Sequence, residues 1–154
     1  MYLFGHLITA WIFGLIIQFF SGTELSIFAW VLLFFGSVLP DSDLFYQWFF
    51  NFKIHRTITH SLLFILFVYL LANLISTNFA AVFLATGVFS HIFIDMFSSR
   101  RGVMLLWPIR LDISAYGINR SIISTYTIHS FFNKYFILLF RDFVYGMIWL
   151  FFLI

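Results

Sequence analysis

The residues best suited to chemistry are five histidines and six acidic residues, set in a sequence that is otherwise strongly apolar. Most of them fall into three short clusters, with His6 as a further position near the N-terminus. An ionisable side chain is costly in a membrane helix, about 2.5–3.5 kcal/mol for one Asp at its centre. Clustering therefore indicates a functional site. The clusters are Pro-Asp-Ser-Asp at 40–43, His-Arg-Thr-Ile-Thr-His at 55–60 and Ser-His-Ile-Phe-Ile-Asp at 90–95.

The spacing within these clusters favours a metal site. His91 and Asp95 are four residues apart, so on a helix both side chains lie on one face. Asp41 and Asp43 follow Pro40, which cannot continue a helix, so the backbone there can turn both carboxylates inward. Imidazole and carboxylate ligands together suit Zn, Mn or Fe. Such an ion supplies a hydroxide nucleophile from water near neutral pH.

Each part of this pattern taken alone has a simpler explanation. Asp-Ser-Asp is common in turns, and a His-x-x-x-Asp pair can join two helices through a hydrogen bond. His6 could play the same packing role. Arg56 could bind phosphate or serve only as a basic residue that orients the chain in a membrane. His129 lies apart from the clusters and is expected to be a surface residue. The combination of all the parts is what favours a metal site.

The segments that carry these residues must lie in a membrane. Of the residues, 63% are hydrophobic and 9% are charged, with a mean hydropathy of +1.04, whereas a soluble domain carries about 25% charged residues. Such a chain cannot cover a surface that faces water. The absence of Cys excludes disulfides and thiolate ligands. The formal charge of +2 reflects membrane topology and not nucleic-acid binding.

The predicted fold class is all-α, a single domain over 1–154 that forms a polytopic bundle of about five transmembrane helices. Residues 1–20 lack the basic region and cleavage site of a signal peptide and are expected to remain as the first helix. Residues 112–134 could form an interfacial amphipathic element or a re-entrant piece. The predicted spans are 3–20, 25–39, 60–75, 79–97 and 135–154.

The placement of basic residues predicts the orientation of these spans. Lys and Arg are concentrated in the connection between the second and third spans and in that between the fourth and fifth. Short loops rich in Lys and Arg stay cytoplasmic, so the N-terminus is predicted to be cytoplasmic. His6 and the three clusters then lie at the same membrane face. The basic residues of the two connections are Lys53, Arg56, Arg100, Arg101, Arg110, Arg120 and Lys134.

Four sequence elements, in order, carry a resemblance to a known family. They are Gly-Ser-Val-Leu-Pro-Asp-Ser-Asp at 36–43, His-Arg-Thr-Ile-Thr-His-Ser at 55–61, Ser-His-Ile-Phe-Ile-Asp at 90–95 and Leu-Leu-Trp-Pro at 105–108. Through them, residues 1–110 resemble the small LexA-regulated, membrane-bound metal-dependent hydrolases. That family is distantly similar to zinc-dependent phospholipase C and to the fungal zinc nucleases. Residues 111–154 match no part of the pattern.

The resemblance implies a metal-dependent phosphoesterase, with Zn as the expected ion and Mn as the alternative. The soluble enzymes have a later His-x-x-x-Glu pair where this chain has only His129-x-x-x-Asn133, so one or two ions are expected, and not three. His55 or Arg56 would complete the ligation or bind phosphate, which gives both residues an expected catalytic role. The implied metal ligands are His6, Asp41 or Asp43, His60, His91 and Asp95.

The expected function is hydrolysis of a lipid or lipid-linked phosphate at the cytoplasmic face of the inner membrane. Membrane lipids are the expected partners, and the sequence does not indicate an oligomeric state. Two other classes stay open, a metal-ion transporter or sensor and a non-catalytic protein whose polar residues join helices. The outer halves of the spans are almost purely apolar, which disfavours transport. Neither His-Glu-x-x-His nor Gly-x-Ser-x-Gly occurs, which disfavours a metalloprotease and a serine hydrolase.

Overall fold

The structure is a computed structural model that describes residues 3–45, 56–98, 102–109, 111–114 and 117–120. A short 3₁₀ helix, Leu39–Ser42, continues α2, and a second one, Ile58–His60, precedes α3. Two antiparallel strands, β1 (Leu111–Ser114) and β2 (Gly117–Arg120), form a hairpin. The longer helices are α1 (Leu3–Ser21), α2 (Ile27–Val38), α3 (Leu62–Ile75) and α4 (Asn78–Ser98).

Among the described residues, three helices are long and apolar enough to cross a membrane, namely Leu3–Ser21, Ile27–Phe45 and Asn78–Phe97. Helix α3 is also apolar but has only 14 residues. These bounds agree to within a few residues with the first four predicted spans, which confirms the helical bundle. The fifth predicted span, 135–154, lies outside the described residues. The number of spans and the side of the N-terminus therefore stay predictions.

The helices expose many large apolar side chains and bury several polar ones, which is unusual for a soluble protein. Phe19, Phe20, Ile27, Leu74 and Ile75 are each at least 79% exposed. The buried residues include histidines, aspartates and serines. Hydrocarbon is the solvent that such an exterior suits, because large apolar side chains in water would be unfavourable. The polarity of the surface thus supports a membrane location.

Serine caps fix where two of the helices begin. The Ser26 hydroxyl accepts a hydrogen bond from the N–H of Ala29 at the start of α2, at 3.2 Å. The Ser61 hydroxyl accepts one from the N–H of Phe64 at the start of α3, also at 3.2 Å. These bonds satisfy backbone donors that have no partner within the helix. Helix α3 therefore begins two residues after His60, where the predicted span began.

Helices α2 and α4 pack more extensively than any other described pair of elements, and they cross at two glycines. A Cβ added to either Gly36 or Gly87 would lie 2.2 Å from a backbone carbonyl oxygen of the other helix. Only glycine allows the two backbones to come this close. The crossing lies one residue before Ser37 and one turn before His91. It therefore sets the distance between those two residues.

The chain after α4 folds back on the turn that precedes α3. The N–H of Met104 donates to the carbonyl of Arg56 at 3.2 Å, and the N–H of Leu62 donates to the carbonyl of Leu105 at 2.9 Å. Met104 is 4% exposed. Segment 102–109, which contains the Leu-Leu-Trp-Pro element, thus holds the backbone on both sides of the second 3₁₀ helix.

The hairpin is the one place in the described residues that departs from an all-α fold. Ile113 of β1 exchanges two backbone hydrogen bonds with Val103, at 2.8 and 3.0 Å, so the hairpin is anchored to segment 102–109. Residues 112–134 are expected to form an interfacial or re-entrant element; the hairpin includes 112–114 and 117–120 of this segment and leaves both alternatives open. Alternation of Ile with polar residues suits a strand with two unlike faces as well as an amphipathic helix.

Candidate metal centre

Four segments bring ionisable side chains together at one end of the helical bundle. His6 comes from the first turns of α1, Asp41 from the first 3₁₀ helix and His60 from the second. His91 and Asp95 come from the last turns of α4. The four residues other than Asp41 are at most 1% exposed. The sequence predicts this convergence from the direction of the spans, and the structure confirms it.

The backbone of α2 holds the ring of His91 in one orientation. Its Nδ1 lies 2.6 Å from the carbonyl oxygen of Ser37. A carbonyl oxygen can only accept a hydrogen bond, so Nδ1 carries the proton and donates it. The lone pair of a neutral His91 is then on Nε2, which faces the other ionisable residues.

His60 faces His91 across a short gap. The two Nε2 atoms are 3.1 Å apart, and the rings are nearly perpendicular, at 71°. Nδ1 of His60 lies 3.0 Å from the hydroxyl of Thr59. A separation of 3.1 Å suits either a hydrogen bond between the rings or two nitrogens that share an ion.

Two carboxylate oxygens lie close to these two nitrogens, which gives four atoms that could bind a metal. Oδ1 of Asp41 lies 3.5 Å from Nε2 of His91 and 3.9 Å from Nε2 of His60. Oδ2 of Asp95 lies 3.5 Å from Nε2 of His60 and 4.0 Å from Nε2 of His91. Donors bound to one tetrahedral zinc ion are about 3.3–3.6 Å apart, given bonds of about 2.0–2.2 Å. These separations are close to that range, so either carboxylate can share one ion of that size with the two imidazole nitrogens.

His6 lies on the other side of the two carboxylates. Its ring stacks on that of His91, with centroids 3.6 Å apart. Its Nε2 is 3.7 Å from Oδ1 of Asp95 and 4.0 Å from Oδ2 of Asp41. Each carboxylate thus offers one oxygen towards His6 and the other towards His60 and His91. Two overlapping groups of potential ligands result, His6–Asp41–His91 and His60–His91–Asp95.

Arg56 places a cation beside these carboxylates. Its Nε lies 3.2 Å from Oδ2 of Asp95, and its side chain is 25% exposed. Its backbone is in the left-handed region, with φ of 66°, which is uncommon for a residue with a Cβ. The hydrogen bond from Met104 holds this turn in place. A guanidinium in this position can reach an anion that approaches the cluster.

The structure distinguishes the two acids of the Asp-Ser-Asp element. Asp41 faces Nε2 of His60, whereas Asp43 lies at the other edge of that ring, with Oδ2 3.8 Å from Nδ1. The two side chains diverge because residues two apart on a 3₁₀ helix do not share a face. Asp41 is therefore the acid that shares a centre with the imidazoles, and the ligand role predicted for Asp43 stays untested.

Three contributions to the site were not predicted from the sequence. The Ser37 carbonyl leaves no signal, because every residue has one. The Thr59 hydroxyl could have been noticed, since it directly precedes His60 in a polar cluster. The role of segment 102–109 depends on long-range backbone hydrogen bonds. The catalytic role predicted for His55 lies outside the described residues, as does His129.

Comparison with known proteins agrees with the membrane location. Neither a curated protein nor a solved structure matches the chain significantly. A family model described as "YdjM inner membrane protein" matches residues 1–154. The match thus extends past the four sequence elements, which end at residue 108, and it includes the hairpin. The apolar exterior of α1 to α4 is what an inner membrane protein requires. The chain belongs to the YdjM inner membrane protein family.

Proposed function

We propose that the protein is a metal-dependent hydrolase, a phosphoesterase that acts on a lipid or lipid-linked phosphate. One observation carries the proposal: the Nε2 atoms of His60 and His91 lie 3.1 Å apart, and an oxygen of each of two carboxylates lies 3.5–4.0 Å from both nitrogens. Buried ionisable groups are costly in a membrane protein and are typically kept for function. The arrangement also matches the ligand types that zinc enzymes use.

The proposed cofactor is Zn, with Mn as the alternative. His60, His91, Asp41 and Asp95 would hold one ion, and His6 with the remaining carboxylate oxygens offers a place for a second. When bound, the metal would activate water as a nucleophile and offset the negative charge of a phosphoryl group. Both roles favour hydrolysis of a phosphoester near neutral pH.

The protein's own groups would bind and orient the substrate. The guanidinium of Arg56 lies next to Asp95 and is partly exposed, so it can donate two hydrogen bonds to a phosphate. Such a contact stabilises charge that develops during reaction. His55 remains a proposed second contributor. Because the site lies at the end of apolar helices, a head group can reach it while acyl chains stay in lipid.

A transport function finds less support. A transported ion would need polar groups along its path beyond the site. On the far side of His6, the described core includes an apolar cluster of Ala10, Ala29, Leu33 and Phe83. The hydroxyl of the buried Thr9 donates to the Gly5 carbonyl within its own helix, so it does not extend a polar path. A cluster that only joins helices is the remaining alternative, and metal content distinguishes it from the proposed function.

Protein purified without chelator is expected to contain at least one transition-metal ion per chain. Asp95→Ala should lower the occupancy strongly, because it removes the carboxylate of the His60–His91–Asp95 group and the oxygen that lies 3.7 Å from His6. Metal content can be measured by mass spectrometry on protein shown to be folded. Thr86→Ala is a matched control on the same helix, since its hydroxyl bonds only to the carbonyl of Val82 among the contacts described.

Full metal occupancy in Asp95→Ala would reject the ligand assignment. Absence of metal from every preparation of the wild-type protein would favour the helix-packing role. The same preparations should be assayed on a panel of phospholipids and isoprenoid phosphates. Turnover that requires loaded metal and is lost in Asp95→Ala supports the proposal, and metal binding without any turnover would favour a sensor.

The proposal includes five spans, with the N-terminus and the metal centre at the cytoplasmic face. Its support is the placement of Lys and Arg in two of the predicted connections. A reporter fused after Ile154 should report the non-cytoplasmic side, and one fused after Arg120 should report the cytoplasm. The measurement is the activity of a pair of reporters that work on opposite sides. Reversed results would place the centre at the outer face.

A further inference from the structure

We propose that Asp43 and Thr59 act as a positioning pair that selects the tautomer of His60 in which Nε2 can bind the metal. The inference rests on the proposed function, since it takes Nε2 of His60 as a metal ligand. The Thr59 hydroxyl lies between the two other groups, 2.6 Å from Oδ2 of Asp43 and 3.0 Å from Nδ1 of His60. Neither Asp43 nor Thr59 would touch the ion.

The direction of these hydrogen bonds follows from the number of protons available. A hydroxyl has one proton to donate, and a carboxylate oxygen can only accept. The short separation of 2.6 Å is that of a hydroxyl that donates to a carboxylate. Oγ1 of Thr59 must then accept from His60, whose Nδ1 carries the proton. Asp43 and His60 do not bond directly, because Oδ2 and Nδ1 are 3.8 Å apart.

The other tautomer, with its proton on Nε2 of His60, could not bind a metal through that nitrogen. His91 donates from Nδ1 to the Ser37 carbonyl, so its Nε2 is an acceptor that faces His60. A proton on Nε2 of His60 would be donated across the 3.1 Å gap to Nε2 of His91. That bond would occupy the Nε2 lone pair of His91 and leave Nε2 of His60 protonated, so neither nitrogen could bind a metal. A neutral imidazole has only two tautomers, so a donated bond from Nδ1 excludes this state.

Burial makes the selection effective. Asp43 is 3% exposed and His60 is fully buried, so water cannot readily take the place of the Thr59 hydroxyl. A carboxylate that orients a histidine from behind is a recurrent feature of metal sites, and here a hydroxyl connects the two. The two acids of the Asp-Ser-Asp element thus have different roles. Asp41 faces the ion, and Asp43 orients the ligand His60 through Thr59.

The tautomer of His60 can be measured without metal. In metal-free protein labelled with ¹⁵N-histidine, nitrogen NMR should show His60 protonated at Nδ1, and His60→Gln identifies its signals. Thr59→Ser keeps the hydroxyl and should leave the tautomer unchanged. Thr59→Val removes the hydroxyl at nearly the same volume and should move the proton to Nε2. An unchanged tautomer in Thr59→Val would overturn the proposal.

Zinc affinity is the second measurement and separates positioning from ligation. Thr59→Val should weaken Zn²⁺ binding by about 10–100-fold, and Thr59→Ser should restore it. Asp43→Asn retains a carbonyl that accepts from Thr59 and should keep most of the affinity, whereas Asp41→Asn should lose most of it. Equal losses in Asp43→Asn and Asp41→Asn would make Asp43 a ligand and refute the proposal. If wild-type protein binds no metal, the proposed function fails, and the NMR comparison still decides the role of Thr59.

Discussion

His91→Ala should reduce the hydrolysis of lipid phosphates by at least about 100-fold while the protein stays folded and inserted. His91 belongs to both groups of potential ligands, so its loss leaves either ion incompletely held. A metal contributes several kcal/mol to the stabilisation of the transition state, and about 1.4 kcal/mol corresponds to tenfold in rate. Turnover of phospholipids and isoprenoid phosphates, measured beside thermal stability in detergent, checks this result.

Ser90→Ala provides the matched control for His91→Ala. Ser90 is the preceding residue on α4 and is equally buried, and its hydroxyl donates to the Gly87 carbonyl within the same helix. This variant should keep most of the activity. If His91 only joins helices, its loss should cost about 0.6 kcal/mol of stability and leave turnover nearly intact. Similar activity in the two variants would therefore remove His91 from the proposed site.

Gly87→Ala should lower both the stability of the protein and its affinity for metal. The added Cβ would lie 2.2 Å from the carbonyl oxygen of Leu33 and 2.9 Å from Cα of Gly36. Backbone atoms cannot rotate away, so α2 and α4 must separate, and overpacking of this kind costs about 1–3 kcal/mol. The separation would also lengthen the bond between the Ser37 carbonyl and His91. Thermal unfolding in detergent and zinc titration measure the two effects.

Gly14→Ala tests whether that effect belongs to the helix crossing. Its Cβ would also meet a group at 2.2 Å, but that group is the ring of Trp30. A side chain can shift where a backbone cannot, so the loss of stability should be smaller, and metal affinity should not change. Wild-type stability and affinity in Gly87→Ala would mean that the two helices do not approach as closely as described.

The helices were predictable wherever hydrophobicity alone determines their extent. The first predicted span, 3–20, matches α1, and the fourth, 79–97, matches α4, because long and predominantly apolar segments leave few alternatives even where they contain a few polar residues. The start of α3 was less predictable. The predicted third span includes His60, but the Ser61 cap places His60 in the preceding 3₁₀ helix. A capping bond depends on a local backbone conformation that hydrophobicity does not report.

The residues that converge at the site were predictable, but the role of each residue was not. Span direction alone brings His6 to the same end of the bundle as Asp95. It does not decide between Asp41 and Asp43, because that choice depends on the 3₁₀ geometry after α2. It also does not identify the Ser37 carbonyl, which reaches His91 only because two glycines permit a close crossing. Long-range backbone contacts of this kind have no sequence signature.

The left-handed backbone of Arg56 has a consequence for how the sequence can change. For a residue with a Cβ this conformation costs about 1–2 kcal/mol, and glycine avoids the cost. The other described positions with positive φ, Gly22 and Gly102, are both glycines. Selection for stability alone would thus favour glycine in place of Arg56, whereas selection for binding of an anion would retain the guanidinium. The two pressures favour different residues at the same turn.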